Sequence, residues 1–226
     1  MKGIIFDFNG TLFFDSDLHY DAWRIFSERL RGYPFSDEEM QQYMFGRTNA
    51  DIIAYAIGRK PEPEMVEALA KEKEGLYREE CKRQTGRLVL APGAEKFLDY
   101  LKENNIPRTI ATMSEWDNVE FYIDVFKLER WFDLDKIVYS NGKIPGKPAP
   151  DIYEIAAKNL GLSPQECIVV EDAISGINSA KSAKVGGIVA ISSVEPIEYY
   201  EKIEGLSGII KSFDDFDKRM FSKILV

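Results

Sequence analysis

A short apolar run, Ile4-Ile5-Phe6, begins almost at the N-terminus and stops at Asp7-Phe8-Asn9-Gly10-Thr11. No strand-like run interrupts roughly residues 15–83, and the next run that reads as a strand is Arg108 to Thr112. An unalternated apolar run that ends in punctuation reads as a strand buried on both faces. Its partners must therefore come from the distant part of the chain, and what lies between is an insert. In open parallel sheets, ligands bind in the crevice beyond the carboxyl ends of the strands. Asp7 would stand there, with Gly10 letting the backbone turn sharply away. An aspartate in that place can be a nucleophile, a metal ligand or a turn residue.

The insert carries no strand-like run. Ala22, Trp23, Phe26 and Leu30 recur at helical spacing, and Ser36 followed by Glu39 is a capping-box signature. Asp51 to Gly58 reads as a third helical piece. Pro63 to about Arg83 reads as a long charged helix with Met65, Leu69 and Leu76 on one side. From Pro92 onward helices and strands alternate. Phe97, Leu98 and Leu101 mark a helix ended near Asn104-Asn105, before a strand over Arg108 to Thr112. Val119 to Phe126 is helical and Lys136 to Tyr139 strand-like; Ile152 to Leu160 is a helix closed by Gly161. Ser163 and Glu166 cap the turn before the apolar strand Cys167 to Val170. A helix over Ile174 to Ala183, a strand over Gly187 to Ile191 and a short one at Ile209-Ile210 complete the series. Such alternation predicts an α/β fold, a doubly wound parallel, Rossmann-like sheet, with an inserted all-helical domain. The expected division is residues 1–14 and 84–226 for the sheet domain and 15–83 for the helical one.

The chain's 226 residues suffice for a sizeable core. A net charge of −9 argues against a nucleic-acid or anionic-membrane partner. No run is long enough to cross a bilayer, and the N-terminus enters a strand without a signal-peptide pattern. Cys81 and Cys167 lack metal-ligand spacing. A reduced, cytoplasmic setting is the simplest reading.

Polar groups fall at the ends of several predicted strands. Asp7 ends the first, and Thr112 ends the second with Ser114 just beyond. Lys147 stands before a helix, and Glu171-Asp172 ends the fourth strand. Taken singly, Glu171-Asp172 also fits a helix N-cap and Lys147 a solvated lysine. Together, carboxylates from two strands with a lysine and hydroxyls would make a magnesium-and-phosphate site, since hard cations take oxygen ligands.

The ordered set resembles the haloacid dehalogenase superfamily over nearly the whole chain. Asp7-Phe8-Asn9-Gly10-Thr11 looks like its first motif, Thr112 the second, Lys147 the third and Glu171-Asp172 the fourth. The helical insert looks like its C1 cap. Gly146-Lys147-Pro148-Ala149-Pro150-Asp151 and Val170-Glu171-Asp172-Ala173-Ile174-Ser175-Gly176-Ile177 are most similar to the β-phosphoglucomutase and phosphoglycolate-phosphatase-like branch. The resemblance implies that Asp7 attacks phosphorus and becomes an aspartyl phosphate. It implies magnesium held by the Asp7 carboxylate, the Asn9 main-chain carbonyl and Asp172, with Glu171 nearby. It also implies that Thr112, Lys147 and the N–H groups after Asp7, beginning with Phe8, bind the transferring phosphoryl group.

One position departs from that pattern. The motif's second aspartate, which in most of the superfamily serves as the general acid and base, is here Asn9. An amide cannot titrate. His19, the only histidine, lies where the β-phosphoglucomutase branch has one and is an alternative proton carrier or else a hinge or surface residue. Arg47, Asn49 and Lys73 are the candidate substrate contacts on the insert, Lys73 matching a lysine of the mutase branch. Asn49 replaces the arginine which that branch carries three places after its cap glycine, here Gly46. Trp23 and Trp116 read as core or hinge packing rather than substrate platforms. The leading expectation is a monomeric magnesium-dependent phosphohydrolase acting on a small phosphorylated metabolite. A β-phosphoglucomutase-like phosphotransferase, or a phosphate-binding protein with impaired turnover, are the rivals. The insert is expected to move as a unit on linkers near Phe14 and near residues 84–90.

Overall fold

The computed structural model describes residues 1–44 and 48–221. It comprises two compact units, Met1–Phe14 with Val89–Val226, and Asp15–Leu88. Strand β1 (Gly3–Phe6) opens the first unit, and all four of its residues are buried.

The second unit is helical. α1 (Ser16–Arg31) buries Leu18, Ala22, Trp23 and Phe26 and stops at Gly32, whose φ of 87° no β-branched or bulky residue adopts easily. α2 (Asp37–Tyr43) starts from the expected Ser36/Glu39 capping box, and α3 (Asn49–Ile57) from a second one, Thr48/Asp51. α4 (Pro63–Arg83) has Pro63 in its first turn, where a missing N–H costs nothing. Met65 and Leu69 are only half-buried. Their stripe continues at helical spacing through Lys73, Leu76 and Glu80, which are buried. Two charged residues thus lie on the inner face of α4, where hydrophobic periodicity passes over them. α4 packs on α1 and α3.

The first unit resumes with α5 (Ala94–Glu103), β2 (Arg108–Glu115), α6 (Trp116–Phe126) and β3 (Val138–Ser140). There follow α7 (Asp151–Asn159), β4 (Cys167–Glu171), α8 (Ile174–Ser182), β5 (Gly187–Ile191), α9 (Ile197–Tyr200) and β6 (Gly208–Ile210). The six strands form one parallel sheet in the order β3-β2-β1-β4-β5-β6. β1 is central, and its side chains serve both faces. Ile5 joins Ile152, Tyr153, Ala156 and Val169 on one side. On the other, the Phe6 ring meets Phe97, Phe132 and Phe213 edge-on at 6.3, 6.2 and 5.8 Å. That two-sided burial is why the run lacks alternation.

Two local expectations shift. Leu134–Lys136 forms a 3-10 turn, so β3 begins at Val138 rather than Lys136; the Lys136 carbonyl instead accepts the Thr109 hydroxyl at 2.7 Å. β2 runs on past Thr112 to Glu115, which pairs with Ser140 after a register shift. Ser114 is therefore on the strand, not beyond it.

Candidate active site

The strand order places the site. The chain steps from β1 through β2 to β3 in one direction and from β4 to β6 in the other, so β1 and β4 flank the topological switch point. Phe6 pairs with Val170 on one side and with Ile110 on the other. One residue on, Asp7 comes level with Glu171, and the Asp7 N–H donates to the Val170 carbonyl at 3.0 Å. Asp7, Glu171 and Asp172 each offer a carboxylate oxygen within 4.8 Å of the others.

Lys147 reaches into this cluster from the loop before α7. Its Nζ donates to Asp7 Oδ1 at 2.7 Å and to Glu171 Oε1 at 2.5 Å. The side chain is 8% exposed, so the lysine is a buried member of the site and not a solvated one. Glu171 is held on every side: Tyr153 donates to Oε1 at 3.0 Å and the Ala173 N–H to Oε2 at 2.8 Å. Thr11 donates to Asp172 Oδ1 at 3.1 Å, and the Tyr200 hydroxyl donates to the Asp172 carbonyl at 2.6 Å. Two glycines leave room for these carboxylates. A Cβ on Gly10, whose φ is +74°, would lie 2.1 Å from Asp172 Oδ2. A Cβ on Gly176 would lie 1.6 Å from Glu171 Oε1.

Three carboxylates against one ammonium leave an excess of negative charge in a buried place. Burial pushes the Asp7 carboxyl up to about 7; Lys147 opposes the rise and Glu171 adds to it. Asp172 is likewise raised well above its ordinary value by burial and then by the charges of Glu171 and Asp7. Burial acts to lower Lys147, but the attraction of Asp7 and Glu171 wins and holds its ammonium well above the usual range. The donor set is hard oxygen only, with unbalanced negative charge and restrained carboxylates. It fits a divalent cation of the magnesium kind.

Asn9 faces a second set of polar groups. Its Nδ2 donates to the Tyr122 hydroxyl at 2.8 Å, and its Oδ1 accepts from Ser114 Oγ at 2.7 Å and more distantly from Thr112 Oγ1 at 3.5 Å. Thr112 in turn accepts the Ser114 N–H at 3.1 Å. The Phe8 N–H bonds the Asp7 carboxylate, while its ring stacks on Tyr122 at 4.4 Å. Asp7, Phe8, Asn9, Thr112, Ser114, Lys147, Glu171 and Asp172 are therefore gathered at one end of the sheet. Thr11, Tyr122, Tyr153 and Tyr200 join them without having been anticipated. Thr11 sits within the first motif, whereas the tyrosines lie on α6, at the start of α7 and at the end of α9, and look from the sequence like ordinary core residues.

The other candidates belong to the helical unit. His19 Nδ1 lies 2.8 Å from Lys73 Nζ, and Nε2 lies 3.3 Å from Asp15 Oδ2. Lysine only donates, so Nδ1 accepts and Nε2 carries the hydrogen. The His19 ring stacks on Tyr77 at 3.9 Å, and the Tyr77 hydroxyl also donates to Asp15. Both ring nitrogens are engaged, which argues against a free proton carrier in this arrangement. Lys73 is 2% exposed and paired with Glu74 at 2.9 Å, and Asn49 Nδ2 donates to the same Glu74 oxygen at 3.5 Å. Arg47 lies outside the described residues. Trp23 is buried as expected, but Trp116 is 44% exposed against Tyr139 and is no core residue.

A model of the haloacid dehalogenase-like hydrolases matches residues 1–184. The crystal structure of a family IA, variant 3 hydrolase of that superfamily from Entamoeba histolytica superposes with a TM-score of 0.93 at 40% identity, covering 99% of each chain. Hexitol phosphatase A of Escherichia coli is 30% identical over 79% of this chain and 77% of its own. The β-phosphoglucomutase of Bacillus subtilis is 29% identical over 80% and 79%. No described helix is long and apolar enough to cross a membrane.

Proposed function

The chain belongs to the haloacid dehalogenase-like hydrolases, and from that premise we propose that it is a magnesium-dependent phosphohydrolase of small phosphorylated sugars. The observation that carries this reading is Lys147 bridging Asp7 and Glu171 beside Asp172. That arrangement pairs a nucleophile with the charges needed to receive a phosphate. Two of its relatives act, by name, on hexitol and glucose phosphates, which supports a sugar phosphate as the substrate class.

In this reading an Asp7 carboxylate oxygen attacks phosphorus, the bond to the leaving oxygen breaks, and an aspartyl phosphate forms. Lys147 offsets charge on the transferring oxygens, and the Thr112 hydroxyl and the Phe8 N–H orient them. Magnesium, held by Asp7, Asp172 and the Asn9 main-chain carbonyl with Glu171 behind, would supply further charge neutralisation when bound. Ser114 and Tyr122 fix the Asn9 amide. Asn9 cannot deliver a proton to the leaving oxygen, so stable leaving groups are favoured. We assign the helical unit the role of cap, with Arg47, Asn49 and Lys73 as its candidate substrate contacts.

Phosphate release from sugar and aryl phosphates, with and without magnesium, tests the proposal. Magnesium-dependent release that is lost in Asp7→Asn supports it. Interconversion of glucose 1- and 6-phosphates without release transfers the assignment to a mutase. Saturable phosphate binding with no turnover of any ester makes the protein a binder.

A further inference from the structure

At the opposite end of the sheet from the carboxylates, a cleft of about 360 Å³ opens around the start of β2. Lys102, Arg108, Lys136, Asp133 and Trp131 are among its lining residues. The volume is that of a small-molecule pocket.

Arg108 is the unusual member. Its Nη1 donates to the Ile106 carbonyl at 2.9 Å, but its Nε is buried and has no hydrogen-bond partner. No carboxylate lies within ion-pair distance of it among the described residues. Burial alone lowers the guanidinium from its usual value, with no acid opposing that fall. A half-buried cation is ordinarily paired. Lys102 donates to the Arg130 carbonyl at 2.6 Å, which leaves its charge unbalanced. Lys136 pairs with Asp133 at 3.1 Å, the one acid of the cleft. Three cations against one carboxylate are concentrated here in a chain of net charge −9.

We propose that this cleft is a second anion site, one that takes a phosphate dianion, either inorganic phosphate or the phosphoryl group of a small ester. The two unbalanced cations match a dianion in charge. The Arg108 fork suits phosphate oxygens better than a spherical anion, and the apolar wall of Trp131 and Leu160 leaves room for a carbon skeleton. β2 leads from this cleft to Thr112 and Ser114, so an occupant would sit on the strand that carries the catalytic hydroxyls.

Calorimetric titration of the whole protein with inorganic phosphate at low salt is the test. Two classes of site are expected, and Lys147→Ala should remove only the catalytic one. Arg108→Gln should weaken the other at least tenfold while leaving ester hydrolysis unchanged. Lys102→Gln, at an exposed position, should weaken it severalfold and serves where Arg108→Gln does not fold. Glycerol 3-phosphate in place of phosphate separates the two sources: tighter binding of the ester assigns the site to esters, equal or weaker binding to phosphate itself, and either supports a site. A single class of phosphate site abolished by Lys147→Ala, or a second class that survives both Arg108→Gln and Lys102→Gln, overturns the proposal.

Discussion

In the proposed mechanism Asn9 decides which phosphates the protein can turn over. Its amide is held by Tyr122 and Ser114 at 2.8 and 2.7 Å, so the side chain is fixed in place but cannot titrate. A departing alkoxide needs a proton, whereas an aryl oxide or acyl group leaves without one. Asn9→Asp is therefore expected to speed sugar-phosphate hydrolysis about 10²-fold or more, and aryl-phosphate hydrolysis much less. Steady-state rates on one ester of each kind check this, and equal gains on both would remove the missing-acid explanation. His19 is a weak substitute, because Lys73 and Asp15 already occupy its nitrogens. His19→Asn is expected to leave the pH–rate profile unaltered. Gly10 is constrained from another direction. At φ +74°, and with Asp172 Oδ2 in the space a Cβ would need, Gly10→Ala must displace that carboxylate. Its magnesium affinity should fall by tenfold or more while the sheet, read by far-UV circular dichroism, stays intact.

At the scale of elements, helix starts were readable because their chemistry is local. Ser36/Glu39 and Ser163/Glu166 are both formed as capping boxes. Glu39 does more than the spacing suggested. Its carboxylate takes two guanidinium bonds from Arg31, each 2.7 Å, and the Tyr55 hydroxyl at 2.7 Å, tying α1, α2 and α3 together. The Arg31 fork holds the Glu39 carboxyl down at about 2, below the ordinary 4.5, against the opposing effect of burial. A depressed acid stabilises the folded state at pH values above its unfolded pKa. That contribution fades as pH falls from about 4.5 through about 2. Glu39→Gln is expected to cost the helical unit about 1–2 kcal/mol at pH 7. Denaturant melts at pH 7 and pH 2 should show this cost shrinking at the lower pH, and a cost that does not depend on pH would mean that packing, not charge, joins the three helices. Periodicity could not reveal this bond, because Arg31 and Glu39 belong to different helices and neither disturbs an apolar stripe.

At the scale of the whole molecule, strand order and active-site order come from one fact, that β1 is central although it is first in the chain. The sequence shows alternation and shows acids at strand ends, so the parallel sheet and the gathering of Asp7, Glu171 and Asp172 were legible. What it does not show is which helix side chains reach the site. Tyr122 and Tyr153 have the spacing of core residues, and only packing turns their hydroxyls toward Asn9 and Glu171. If the cluster holds magnesium as proposed, the same geometry makes folding and metal binding interdependent. The cluster sets three carboxylates against Lys147 alone, and the surplus charge is buried among β1, β4 and the start of α8. A divalent cation that binds only the folded form relieves that surplus and stabilises the sheet unit by about 2.7 kcal/mol at a hundred times its dissociation constant. Thermal midpoints should therefore rise with magnesium and fall on chelation. Asp172→Ala removes one ligand and one of the repelling charges together. It is expected to be at least as stable as the unaltered chain without metal, to lose tenfold or more in magnesium affinity, and to show little of the magnesium-dependent rise. If its midpoint climbed with magnesium as steeply as that of the unaltered chain, the cation would be binding elsewhere, and the carboxylates would be a network serving Lys147 alone.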